Sequence, residues 1–191
     1  MKPLVVMALE VEEQGLLSAA GIPVLFTGVG KVNATYALTR ALTEYRCGGR
    51  PLPHVVNFGT AGSRVLSTGA LVACTSFVQR DMDVTGLGFA VTVTPFDDVP
   101  ATLSFPHTLP DLPALTCHSA DSFETDAIAR DTAVVDMEAY ALAKVCRKED
   151  TRFTCIKYIT DGANADAAQD WNANLKKAAV AFLQIYQSLF P

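Results

Sequence analysis

The chain has 191 residues, 50% hydrophobic, 18% charged and 8% aromatic, a balance that excludes intrinsic disorder, collagen-like repeats and coiled coil and suits one domain over residues 1–191. A formal net charge of -5 without a basic stripe makes a nucleic acid an unexpected partner. Cys47, Cys74, Cys117, Cys146 and Cys155 form an odd set with no CxxC pair, which argues against a disulfide framework or structural zinc.

Short apolar runs alternate with segments of helical period, the pattern of a sheet covered by helices. Leu4 to Ala8 predicts a buried first strand, and the acids from Glu10 to Glu13 predict a helix start. Val24–Phe26 predicts a second strand ending in Gly28-Val29-Gly30-Lys31, followed by a helix over 33–45. Val55–Phe58 predicts a third strand that runs into a loop, Gly59-Thr60-Ala61-Gly62-Ser63. A further strand is expected over 71–78, with an irregular continuation over 84–89. Five prolines between Thr94 and Pro113 predict an extended, lid-like loop. Val134–Asp136 leads into a helix over 137–148, and Thr154 to Ile159 forms the last strand before Thr160-Asp161-Gly162. The closing helix, over 172–189, places Leu175, Ala179, Phe182, Leu183 and Tyr186 on one face. No run approaches the roughly 20 apolar residues of a membrane span, and Glu10 interrupts the start too early for a signal peptide. A soluble protein of the reducing cytoplasm is expected.

Familiar motifs fail. Gly28-Val-Gly-Lys-Val-Asn33 lacks the third glycine of a dinucleotide fingerprint, and Val32 stands where a phosphate loop needs Ser or Thr. Ser63 and Ser119 lie outside any nucleophile elbow, and His54, His107 and His118 have no metal-ligand spacing. No metal and no cofactor are expected. A more pointed set is the acids that follow apolar strands: Glu10, Glu12, Asp136, Glu138 and Asp161. Strand ends of an α/β sheet form the ligand crevice, so these carboxylates converge there or, for Glu10, Glu12 and Glu138, stabilise helix starts. Asp161 is either a turn residue or an acid aimed at the crevice.

Six segments carry a resemblance: Ala8-Leu9-Glu10-Val11-Glu12, 27–34, Asn57-Phe58-Gly59-Thr60-Ala61-Gly62, Asp81-Met82-Asp83-Val84-Thr85, Val135-Asp136-Met137-Glu138-Ala139 and Ile159-Thr160-Asp161. In this order they resemble the nucleoside phosphorylase and nucleosidase superfamily, nearest to the methylthioadenosine/S-adenosylhomocysteine nucleosidases, from Leu4 to the final helix. The resemblance implies a three-layer α/β sandwich with a central mixed, twisted sheet flanked by helices, somewhat truncated: a strand hairpin before Val24 is missing and the loop over 96–118 is short.

By the same resemblance, Asp161 protonates N7 of a purine and Glu12 takes a proton from the attacking water. Phe123 stacks on the base, and the backbone near Glu124 reads its edge. Glu138 accepts hydrogen bonds from the ribose hydroxyls, with Met137 beneath the sugar. Thr60 stands for a serine and Lys157 for an arginine near the water; Ala61, Gly62 and Thr160 complete the nucleoside contacts. Leu9, Val29 and Trp171 line the 5′ side, while Val84, Leu87 and Pro95 reach the neighbouring site of a homodimer. The implied activity is cofactor-free hydrolysis of the N-glycosidic bond of methylthioadenosine or S-adenosylhomocysteine, which needs an acid at the base and a positioned nucleophile at an oxocarbenium-like sugar. The alternatives are a phosphate-dependent purine nucleoside phosphorylase and a non-catalytic nucleoside-binding protein. Glu10, Glu12 and Asn57 stand where the phosphorylases hold phosphate with arginines, and an anion there meets repulsion.

Overall fold

A computed structural model describes residues 2–123, 134–164 and 166–191. Among them are eight strands, β1 (Leu4–Met7), β2 (Val24–Phe26), β3 (Val55–Gly62), β4 (Leu71–Gln79), β5 (Thr102–Ser104), β6 (Ala114–Ser119), β7 (Val134–Asp136) and β8 (Phe153–Asp161), and four helices, α1 (Leu16–Ala19), α2 (Lys31–Cys47), α3 (Ala139–Lys148) and α4 (Ala167–Leu189). The sheet is mixed, as expected. β1 lies parallel between β2 and β3, β3 pairs parallel with β8, and β8 pairs antiparallel with β4. β4 pairs parallel with β6, β6 parallel with β7, and β7 returns to β3 through Gly62 and Val135. Strands β3, β8, β4, β6 and β7 therefore close a ring, and the closing pair brings the ends of β3, β7 and β8 together. The sheet is flanked on both faces because side chains alternate along each strand. Val6, Val55 and Ile159 pack with Ala34, Leu38 and Leu42 of α2 and Tyr140 and Leu142 of α3. Val5, Met7, Val56, Phe58, Ile156 and Tyr158 face Leu17 of α1 and Phe182 and Tyr186 of α4. Phe58 stacks on Phe182 with ring centroids 5.2 Å apart.

Several boundaries differ from expectation. The helix expected after β1 is a 3-10 turn at Glu10–Glu12 followed by the four-residue α1, because Gln14 and Gly15 take φ of 49° and 72° and interrupt the helical path. Residues 59–62 are strand, not loop. A Cβ on Gly59 would lie 2.8 Å from Lys157 Nζ, and one on Gly62 2.7 Å from Asp161 Oδ1; glycine here admits side chains from β8 to the strand's own surface. The proline-rich stretch contains β5 and packs back on the core, with Phe105 edge-on to Phe77 and Phe153 and Asp97 bridged by Lys144 and Lys148. β6 was not expected as a strand, since Thr116-Cys117-His118-Ser119 is no apolar run. Its place between β4 and β7 buries Cys117 and Ser119 fully. α3 begins at Ala139, two residues later than expected, and α4 begins at Ala167, five earlier. Among the described residues, no helix is long and apolar enough to cross a membrane.

Candidate active site

A cavity of about 250 Å³ opens where β3, β7 and β8 end, and it is lined by Leu9, Glu12, Val29, Thr60, Ala61, Gly62, Phe123, Met137, Glu138, Lys157, Thr160, Asp161 and Trp171. These are the predicted site residues, with one exception: Glu124 lies outside the described residues. Val84, Leu87 and Pro95, expected at a neighbouring site, are absent from the lining of this one. Residues 94–113 do not line it either, so the lid-like reading of that stretch is not carried by its position. Of the five strand-end acids, Glu10 faces solvent; the other four line the cavity. The 3-10 turn separates Glu10 from Glu12 by curling the chain, so that Glu12 Oε2 accepts the N–H of Leu9 at 3.1 Å and the side chain points inward.

Glu12 is buried, 3% exposed, yet well provided with donors. Its Oε1 accepts the Thr60 hydroxyl at 2.7 Å and the Thr60 N–H at 3.0 Å. Three donors from two elements therefore converge on one buried carboxylate and fix its orientation. Asp161 ends β8 on the same cavity. Its Oδ2 accepts the Thr160 hydroxyl at 2.8 Å and its Oδ1 the Ala163 N–H at 2.9 Å.

The same cavity is lined by a buried ion pair, Lys157 Nζ to Asp136 Oδ2 at 2.8 Å, with both side chains no more than 2% exposed. Asp136 also accepts the Ser119 hydroxyl at 2.5 Å and the Ala139 N–H at 2.8 Å, and Ser119 in turn accepts the N–H of Tyr140. Burial opposes ionisation of both partners, but the contact prevails: it holds the Lys157 ammonium well above, and the Asp136 carboxyl below, their usual ranges. Glu138, one residue beyond Met137, accepts the Gly30 N–H at 2.8 Å. Burial first, then the negative charge of Asp136, push its carboxyl up to about 7.

The mouth is tied by a second charged cluster. Lys31 Nζ sits 2.6 Å from Asp81 and 2.9 Å from Asp121, Asp121 accepts the Lys31 N–H, and Asp81 accepts the Asp121 N–H. This joins the start of α2 to the turns after β4 and β6 and leaves Phe123 48% exposed above the cavity. Gly30, at φ 92°, is required there: a Cβ would meet Asp121 Oδ1 at 3.1 Å. Sequence reasoning missed two features. Arg80 lines the cavity and donates to Ser122 Oγ at 3.4 Å; its place one residue past a strand end was the available signal. The Trp171 indole N–H donates to Thr60 Oγ1 at 2.9 Å, a contact between residues too far apart in the chain for spacing to reveal.

A sheet of this connectivity with four carboxylates around one strand-end cavity defines a class, and the chain belongs to the phosphorylase superfamily, whose family profile matches residues 12–190. It is 30% identical to a 5′-methylthioadenosine/S-adenosylhomocysteine nucleosidase of Marinomonas sp. (strain MWYL1), over 86% of this chain and 78% of that protein. Its fold matches that of the Helicobacter pylori nucleosidase with 5′-methylthioadenosine in the active site, at a TM-score of 0.84 and 20% identity over 99% of both chains. The futalosine hydrolase of the same organism matches with the same TM-score and identity, over 100% of this chain and 98% of that one.

Proposed function

We propose that this chain is a purine nucleosidase that hydrolyses the N-glycosidic bond of 5′-methylthioadenosine or S-adenosylhomocysteine. The observation that carries the reading is that Glu12 and Asp161 line one cavity, in a chain whose curated relatives are named as nucleosidases for these substrates. Asp161 donates a proton to N7 of the purine, so the base leaves with the C1′–N9 electron pair. Glu12 takes a proton from water as its oxygen bonds to C1′ of the oxocarbenium-like sugar. Glu138 receives the ribose hydroxyls with Met137 beneath the ring, and Phe123 stacks on the base. Leu9, Val29 and Trp171 enclose the 5′ substituent.

Water, not phosphate, is the nucleophile in this reading. Of the two described cations that line the cavity, Lys157 is already engaged by Asp136 and Arg80 donates to Ser122, and Glu12 would repel an entering dianion. The protein acts in the cytoplasm as one domain and as a homodimer, in which Val84, Leu87 and Pro95 approach the partner's cavity; Leu87 is 76% exposed. Incubation with a nucleoside panel, with and without phosphate, tests the activity. Free adenine and a reducing sugar without phosphate are expected. A strict phosphate requirement with a sugar 1-phosphate product supports the phosphorylase alternative, and binding without release of base supports a non-catalytic binding protein.

A further inference from the structure

Trp171 is the single tryptophan of the chain, and its contact with Thr60 has a direction. An indole N–H only donates, so the Thr60 oxygen that accepts it at 2.9 Å must send its own hydrogen elsewhere. The acceptor in reach is Glu12 Oε1, 2.7 Å away. The order Trp171 to Thr60 to Glu12 thus follows from which groups carry hydrogens. With the N–H of Thr60 on Oε1 and that of Leu9 on Oε2, three of about four acceptor sites of the carboxylate are filled. One remains to receive a proton from water.

The helix that carries the indole is fastened independently of this contact. The indole sits in the second turn of α4, and Asn174, one turn on, donates to the carbonyls of Thr160 and Asp170 at 3.1 and 2.9 Å, fastening that end of α4 to the end of β8. The ring is also part of the cavity wall. We propose that Trp171 is a positioning residue: through Thr60 it orients the Glu12 carboxylate against water, and a 5′ substituent seated on the indole face strengthens that alignment. The inference rests on the nucleosidase reading and adds to it a route by which the substrate's far end acts on the water-activating group.

Steady-state kinetics on methylthioadenosine, with the intact chain and four variants, test it. Trp171→Phe keeps an aromatic wall and removes the donor; kcat is expected to fall about 5- to 20-fold, the weight of one hydrogen bond to a charged network, with KM within about twofold. Thr60→Ala falls at least as far, Thr60→Ser recovers most of that loss, and the double variant Trp171→Phe/Thr60→Ala is no slower than Thr60→Ala alone. Because one indole supplies all tryptophan emission, Thr60→Ala also shifts the emission maximum of the otherwise unaltered chain. Unimpaired kcat in Trp171→Phe, or losses that multiply in the double variant, overturns the relay while leaving the nucleosidase reading intact. A wild-type chain without activity on any nucleoside of the panel removes both.

Discussion

On the cavity floor, Glu12, Asp136 and Lys157 each have partners from other elements of the same chain, whereas along residues 84–96 Leu87, Val91 and Phe96 expose 76%, 52% and 97% of their surface. Phe96 has a ring neighbour in Phe89, with centroids 5.7 Å apart and the rings edge to face, and still faces water. The floor is complete in one chain because an unpaired charge there costs several kcal/mol. The apolar segment tolerates exposure because single apolar side chains in water cost far less. Acid and base chemistry is therefore expected to depend chiefly on the buried groups of the cavity, and association on the exposed segment.

The largest expected effect is on the floor. Asp161→Asn keeps an acceptor for the Ala163 N–H but has no proton to give to the base, and should lower kcat by roughly 10²–10⁴ with the fold intact by circular dichroism; near-normal turnover would remove Asp161 from the acid role. Lys157→Met comes next. It leaves Asp136 buried without its cation and should destabilise the chain by about 3–5 kcal/mol in urea unfolding. A loss under about 1 kcal/mol would show that the pair behaves like a surface ion pair.

The third prediction concerns pH. Glu138 ionises near 4.5 when unfolded and at about 7 in place, so between these values the folded chain binds more protons and its stability falls as pH rises. The loss from this group is on the order of 3 kcal/mol, and Glu138→Gln should flatten the fall in unfolding midpoint between pH 4.5 and 7; an unchanged slope would place the titration elsewhere. The smallest effect belongs to the exposed segment. Leu87→Asp with Phe96→Asp should change monomer stability by no more than about 0.5 kcal/mol while lowering self-association in sedimentation velocity. A large stability loss with association unaltered would reverse the contrast between the two regions.

Much of this was legible in the sequence, for identifiable reasons. β1, β2 and α2 follow from apolar runs and helical period, and the order of short motifs was enough to place thirteen of the predicted residues around one cavity. What escaped was set by neighbours in space. Gly59 and Gly62 read as loop residues because glycine usually marks turns, whereas here they clear room for Lys157 and Asp161. β6 has too few apolar residues to read as a strand, and its burial comes from the strands beside it. Glu10 and Glu12 are indistinguishable by type, and a 3-10 turn sends one outward and one inward.

The ends of the sheet carry a consequence for behaviour in concentrated solution. Among the described residues the two outer strands, β2 and β5, have three residues each, and each of the five strands joined in a ring pairs with two others of the ring. So short a border is a poor template for adding a foreign strand. Fibril growth and strand exchange between copies are accordingly disfavoured, and crowding this protein should yield packed particles of native units before it yields cross-β material.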